Sequence, residues 1–219
     1  MHEKAYLKSS LEFYGATVPA IRKTAKSYVA NRPDLDREEL LALVSALWAR
    51  PVNEFHMLAI ELLDLRKSVL EAADLALVES MLRTSYTWAY VDSLAASVAG
   101  PLVERYPQLA GTLNRWATDP DFWIRRSAML ALLLPLRRGE GDMDRFLRYA
   151  DAMLEEKEFF IRKAIGWVLR ESARKRPDVV RDFLATRLDR VSGLTLREAA
   201  RHLPAVDREA LIAAFRQRK

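Results

Sequence analysis

The chain has 219 residues, half of them hydrophobic, with 35 Lys and Arg against 30 Asp and Glu, a formal charge of +5 and a pI near 9.5. It contains no cysteine, which excludes disulfides, cysteine-ligated zinc, iron–sulfur clusters and thiol catalysis. The N-terminal stretch MHEKAYLKSSLEF has no apolar h-region and no signal cleavage pattern, and no window approaches the roughly 18 apolar residues of a membrane span. The expectation is a soluble, cytoplasmic protein.

Taken in order, the elements read as helices. Glycine is scarce (7), and apolar residues recur at spacings of three and four, as in ELLALVSALWA early in the chain and EALIAAF at its end. The helical runs are separated by short breaks: NRPDLDREE, ARPVNE, GPLVERYPQ, TDPDF, RRGEGD, KRPDV and LPAVDRE. Several of these place Asp or Pro just ahead of a run, an N-terminal helix signature. The fold class expected is all-α, with about a dozen short helices and no long linker.

The helices repeat. FWIRRSAMLALLL (122–134) and FFIRKAIGWVLRE (159–171) share a pattern anchored on Ile124 and Ile161. Similar helix starts stand at Ile21 in AIRKTAK, Met57 in HMLAIELL, Val91 in YVDSLAAS and Leu196 in TLREAARH, so the six anchors step by 36, 34, 33, 37 and 35 residues. This period fits a two-helix, HEAT-like unit, and units of that kind stack into a curved solenoid whose outward residues line a concave groove. A single repeat domain over 1–219 is the expected organisation.

The residues after the anchors are Arg22, Leu58, Asp92, Arg125, Arg162 and Arg197, followed by Lys23, Ala59, Ser93, Arg126, Lys163 and Glu198. Four of the first six slots are arginine. They read either as a solvated charged face or as a basic stripe suited to the phosphates of a duplex, and the repetition favours the stripe. Asp92 is the carboxylate in that row. It lies four residues after Trp88, on the same helical face. Lys163 and Trp167 have the same spacing. Burying an unpaired charge is costly, so these two faces read as groove rather than core, although Asp92 could also serve as the partner of a neighbouring arginine. Trp48, Trp116 and Trp123 read as core.

Other chemistries are poorly supported. The three histidines, His2, His56 and His202, lie far apart without metal-ligand spacing. RGEGD (138–142) lacks the lysine and the flanking strand of a phosphate loop. No Ser–His–Asp set can be argued. No metal and no cofactor are expected.

With these residues in place, EFFIRKAIGWVLRESARKRPDVV (158–180), TWAYVDSLAA (87–96), WIRRSAMLALL (123–133) and KAYLKSSLEFYGATVPAIRKTAK (4–26) resemble the AlkD-type DNA alkylation repair glycosylases, in order along nearly the whole chain. That family has HEAT-like repeats and excises cationic N3- and N7-alkylated purines. The resemblance implies a catalytic role for Asp92, and for Trp88 and Trp167 a place on either side of the lesion's deoxyribose. It implies that Arg126 holds the nearby DNA backbone and that Tyr6 faces the DNA. Some relatives carry a doubled tryptophan where this chain has Trp–Ala; Trp88 is the one that keeps the four-residue spacing to Asp92. Arg22, Lys23, Arg125, Arg162, Lys163 and Arg197 complete the expected DNA-binding set. The expected partner is double-stranded DNA carrying alkylated purines, bound by a monomer in the nucleoid. Two alternatives stay open: a non-catalytic protein of the same fold that binds damaged DNA, and a protein-interaction scaffold.

Overall fold

Three of the breaks in the sequence become helix caps. In a computed structural model of the chain, which describes residues 11–218, the carboxylates of Asp36, Asp121, Asp142 and Glu158 accept from the backbone N–H of Glu39, Trp123, Arg145 and Phe160 at 2.9, 2.8, 2.8 and 3.2 Å. Each satisfies a first-turn donor that the helix itself leaves open. Gly139, at φ +85°, ends one helix in the left-handed conformation that glycine adopts without steric cost.

The α-helices are α1 (Val18–Asn31), α2 (Arg37–Trp48), α3 (Asn53–Leu65), α4 (Leu75–Arg83), α5 (Trp88–Ser93), α6 (Gly100–Arg105), α7 (Ala110–Trp116), α8 (Phe122–Leu130), α9 (Leu133–Arg138), α10 (Met143–Ala152), α11 (Phe159–Ala173), α12 (Pro177–Ala185), α13 (Gly193–Ala199) and α14 (Ala205–Gln217). Among the described residues the sole β-type pairing is an isolated bridge between Glu12 and Val52. The helices fall into two compact units, Met1–Leu109 and Ala110–Lys219.

The repeat period is visible within each unit. Helices carrying the sequence anchors stack on one another: α1 on α3 and α3 on α5 in the first unit, α8 on α11 and α11 on α13 in the second. The anchors Ile21, Val91, Ile124, Ile161 and Leu196 are all buried. Hydrogen bonds also step by one period. Arg37 grips Asp74 through Nε and Nη2 at 2.8 and 2.6 Å, Trp48 Nε1 donates to Thr84 at 3.0 Å, and Arg105 donates to the carbonyls of Ser68 and Lys67. In the second unit Tyr149 donates to Asn114 at 2.6 Å, Arg176 to the Gly139 carbonyl at 2.7 Å and Arg187 to Asp151 at 2.6 Å. An arginine can bridge two repeats because its long stem packs on apolar surface while the guanidinium reaches the neighbour.

At the start of the first unit, the buried carboxylate of Glu54 accepts the backbone N–H groups of Tyr14, Gly15 and Ala16 at 3.1, 2.7 and 3.2 Å. Gly15 at φ +88° turns these donors toward one point.

Gly166 permits a close approach of α13 to α11 in the second unit. A Cβ placed there would lie 2.7 Å from Glu198 Cβ and 3.1 Å from the Thr195 carbonyl oxygen. Those atoms belong to α13 and cannot swing away as a side-chain tip could. Ala normally gains about 1 kcal/mol over Gly within a helix, while overpacking costs about 1–3 kcal/mol. The clash with backbone and Cβ atoms decides the sign. Gly166→Ala is expected to lower stability by about 1 kcal/mol net. Urea unfolding checks this, and a gain in stability would mean that α13 yields freely.

Candidate functional site

Trp88 and Asp92 occupy the two ends of one turn of α5, and both are half-buried. The helix starts at Thr87, which is extended and buried; its hydroxyl makes no capping bond and has no hydrogen-bond partner. Directly after Ser93 the chain widens into a π-helix, Leu94–Ala99, closed by the Gly100 N–H donating to the Ala95 carbonyl. The cause lies in Pro101, which lacks an N–H and would strike the carbonyl four residues back in a regular α-helix. A wider turn relieves that clash. Asp92 therefore sits at the junction between α- and π-geometry, a kind of distortion that recurs at functional sites.

Behind α5 lies a polar seam. Tyr90, buried two residues before Asp92, donates its hydroxyl to Asn53 on α3 at 2.5 Å. His56 is buried between Trp48, on which it stacks at 4.1 Å, and Tyr90, whose ring meets it edge-on at 5.6 Å. Its Nε2 is 2.9 Å from the Trp48 carbonyl, while its Nδ1 has no partner. Burial holds the imidazole below its ordinary pKa, with the Trp48 and Arg50 carbonyls opposing in part. A histidine depressed in the folded state binds its proton more readily when unfolded. The stability it contributes is complete above about pH 6.5 and is lost as pH falls from there toward the folded value. The melting temperature of wild type should therefore fall over mildly acidic pH, and His56→Gln should flatten that slope. An unchanged slope would show that His56 does not titrate with unfolding.

Trp167 belongs to the second unit, half-buried on α11. The distinctive KAIGWVLRE block around it proves to be a packing and ion-pair seam. Lys163 Nζ donates to Glu198 at 2.9 Å, Arg170 pairs with both Glu198 and Glu171, and Arg137 and Arg174 approach Glu171 at 3.1 and 3.5 Å. Burial alone would raise both carboxyl pKa values. The hydrogen bonds and charges of these cations outweigh it, and both glutamates are held below the usual carboxylate range. Lys163 is thus paired where a shared face with Trp167 had suggested a cation turned to a groove.

The stripe residues divide in the same way. Arg125 engages Glu156 at 3.0 and 2.7 Å and gives Nη1 to the Asp119 and Pro120 carbonyls. Arg126 is only 4 % exposed and donates to the Phe160 carbonyl. Arg162 donates to the Glu156 carbonyl at 2.7 Å. Arg22 meets Glu61 at 2.8 Å but keeps 60 % of its side chain exposed, and Lys23 and Arg197 are exposed. Tyr6 lies outside the described residues. Of the tryptophans expected in the core, Trp116 is fully buried; Trp48 and Trp123 are half-buried in aromatic clusters with His56 and with Phe122 and Phe160.

One residue beside the pair had no sequence signal. Tyr86, two positions before Trp88, has φ +49° and is 77 % exposed. The left-handed conformation costs a residue with a Cβ about 1–2 kcal/mol. Serine, tyrosine and threonine in a row give no hint of it.

Among the described residues no group of three or more His, Asp or Glu is placed to hold a metal, and no helix is long and apolar enough to cross a membrane. Stacked helix pairs of this period, with an aromatic–carboxylate pair on one of the stacked helices, define an all-α helical-repeat protein of AlkD-like fold. Its structure is similar to that of a predicted DNA alkylation repair enzyme from Enterococcus faecalis (TM-score 0.83, 22 % identity, covering 93 % of this chain and 94 % of the other). It is similar as well to AlkD2 from Streptococcus mutans (0.63, 16 %, 87 % and 92 %) and to smu.31 from Streptococcus mutans UA159 (0.64, 16 %, 85 % and 98 %). No curated protein matches the chain. The model of the DNA alkylation repair enzyme family matches residues 1–203, and the chain belongs to that family. Its role is in DNA repair, with DNA as the substrate.

Proposed function

We propose that the protein is a DNA glycosylase that hydrolyses the N-glycosidic bond of cationic N3- or N7-alkylated purines in duplex DNA. The observation that carries this reading is the Trp88–Asp92 pair, one carboxylate and one indole on a single helical turn, in a member of a DNA alkylation repair family. Most glycosidases use two carboxylates, one of which protonates the leaving oxygen. An alkylated purine already bears a positive charge. When the bond from C1′ to the base nitrogen breaks, its electron pair neutralises the ring, and the base leaves without a general acid. Positive charge then grows on the deoxyribose. Asp92 stabilises that charge and orients the water that adds to C1′ and releases a proton. Trp88 holds the cationic sugar against its π-face and keeps bulk water away, and Trp167 keeps the role that the family resemblance implies for it. Tyr6 keeps its place beside the DNA in this reading on the strength of the family resemblance, whereas Arg126, buried and donating to the Phe160 carbonyl, is placed to brace α8 against α11 rather than to reach a phosphate. The test is incubation with a duplex containing 7-methylguanine and assay for free base; absence of release with intact DNA binding would favour a damage-binding protein without catalysis.

The exposed cations Lys23 and Arg197 suit phosphate contacts better than Arg125, whose guanidinium is engaged at Nε and both Nη atoms. Each lost phosphate contact lowers the salt slope of DNA binding by about one unit. Lys23→Ala and Arg197→Ala should each do so on damaged and undamaged duplex alike, while Arg125→Ala should leave the slope unchanged and lower thermal stability instead. A scaffold that binds protein would show no steep salt dependence on DNA, and the reverse assignment of slopes would place the phosphates at Arg125.

A further inference from the structure

We propose that Tyr90 is a positioning residue for Asp92: its hydroxyl, held by Asn53, fixes the rotation of α5 about its own axis and so sets where Trp88 and Asp92 meet the deoxyribose. This rests on the proposed glycosylase reading and adds to it a residue that touches neither the DNA nor the reacting atoms.

Tyr90 comes two positions after Trp88 and two before Asp92, about 200° round the helix from each. Burial follows that geometry. Trp88, Ala89, Asp92 and Ser93 are half-buried along one side of the turn, and Tyr90, Val91, Leu94 and Ala95 are buried along the other. Of these four buried side chains only Tyr90 carries a polar atom. Apolar burial has no preferred direction, so Val91, Leu94 and Ala95 hold α5 down without fixing its rotation. A hydrogen bond has a direction, and the Tyr90 hydroxyl supplies one. Its partner is itself held. Asn53 is the first residue of α3 and is 1 % exposed; its N–H donates to the Glu12 carbonyl at 2.9 Å and its Nδ2 to Met57 Sδ at 3.6 Å, which leaves Oδ1 to accept from Tyr90 at 2.5 Å. The Tyr90 ring meets His56 at 5.6 Å and Trp48 at 5.9 Å, both edge-on, and those two rings are stacked on each other. Such a pin matters because α5 has only six residues, too few to be stable through its own hydrogen bonds. It also runs directly into the π-helix, where the α-helical register that could index it from its C-terminal side is lost. A rotation of about 10° moves a group about 6 Å from the helix axis by about 1 Å. A misplacement of that size can cost about 10²-fold in rate.

The test uses the full chain and a duplex containing 7-methylguanine, and compares wild type with Tyr90→Phe, Asn53→Leu and Leu211→Ala well below their melting temperatures. Tyr90→Phe keeps the ring and loses the hydrogen bond. It should slow single-turnover release about tenfold with DNA binding unchanged, less than the full cost of misplacement because the apolar face still holds α5. Asn53→Leu takes away the acceptor and should do the same. Hydrogen exchange at the amides of residues 88–93 should quicken in both variants. Leu211→Ala removes a buried side chain of α14 in the second unit and should lower the melting temperature through a cavity, with rate and exchange at 88–93 unchanged. That control separates positioning from lost stability. Wild-type rate and exchange in Tyr90→Phe would overturn the assignment, as would an equal loss of rate in Leu211→Ala. No release by wild type, with exchange that depends on Tyr90, sinks the glycosylase reading and leaves the pin on α5. Normal release by wild type, with rate and exchange indifferent to Tyr90→Phe, does the converse.

Discussion

Asp92→Asn is expected to slow single-turnover release of 7-methylguanine by about 10²–10³-fold, the range found when one preorganised electrostatic group is taken from a developing charge. The amide keeps the size and shape of the carboxylate, so α5 and its π-helical continuation keep their geometry. What disappears is the negative charge, and the proposed mechanism uses that charge chiefly when the deoxyribose becomes cationic. Binding should not weaken. A carboxylate near a polyanion is repulsive in the ground state, so its removal leaves affinity equal or slightly higher. Rapid-quench rates and binding isotherms on the same duplex separate the two quantities. Near-normal release by Asp92→Asn would mean that the carboxylate is a structural partner and that the sugar cation is met elsewhere.

The second large effect concerns the leaving group. General acids contribute about 10²–10⁴-fold in enzymes that must protonate a departing group. The α5 turn supplies one carboxylate, and the mechanism asks it to stay ionised, so nothing in it protonates a neutral base. Release of hypoxanthine or uracil should therefore fall below that of 7-methylguanine or 3-methyladenine by at least about 10²-fold. The same reasoning makes the rate on a cationic lesion nearly flat between mildly acidic and neutral pH. Trp88→Ala should lose more in rate than in binding, since its π-face meets a charge that exists only as the bond breaks. A rate on 7-methylguanine that rises steadily toward acid pH would reveal a proton donor.

Much of the architecture was legible because it is periodic. The spacing from Ile21 to Leu196 marks helices that do stack within each unit, and Asp36, Asp121 and Asp142 in the breaks do cap the helices that follow. What stayed hidden depends on contacts about one period away. Arg125 and Lys163 look like available cations until Glu156 and Glu198 are brought beside them, and no fixed register links those partners in the sequence. Gly166 reads as an interruption within a helical run; only the nearness of α13 explains it. The π-helix after Asp92 had a signal in Pro101, but a proline there could equally have ended the helix. Trp88 and Asp92 could be placed on one helical turn from the sequence because their spacing lies within that turn, where sequence distance and spatial distance coincide.

The central claim is that one carboxylate suffices because the departing base carries its own charge. The most direct measurement is single-turnover base release from two duplexes identical except at one position, 7-methylguanine in one and hypoxanthine in the other. The account predicts release of free 7-methylguanine with a rate that collapses in Asp92→Asn, and no release of hypoxanthine above the uncatalysed level. Comparable release of both bases by wild type would contradict it.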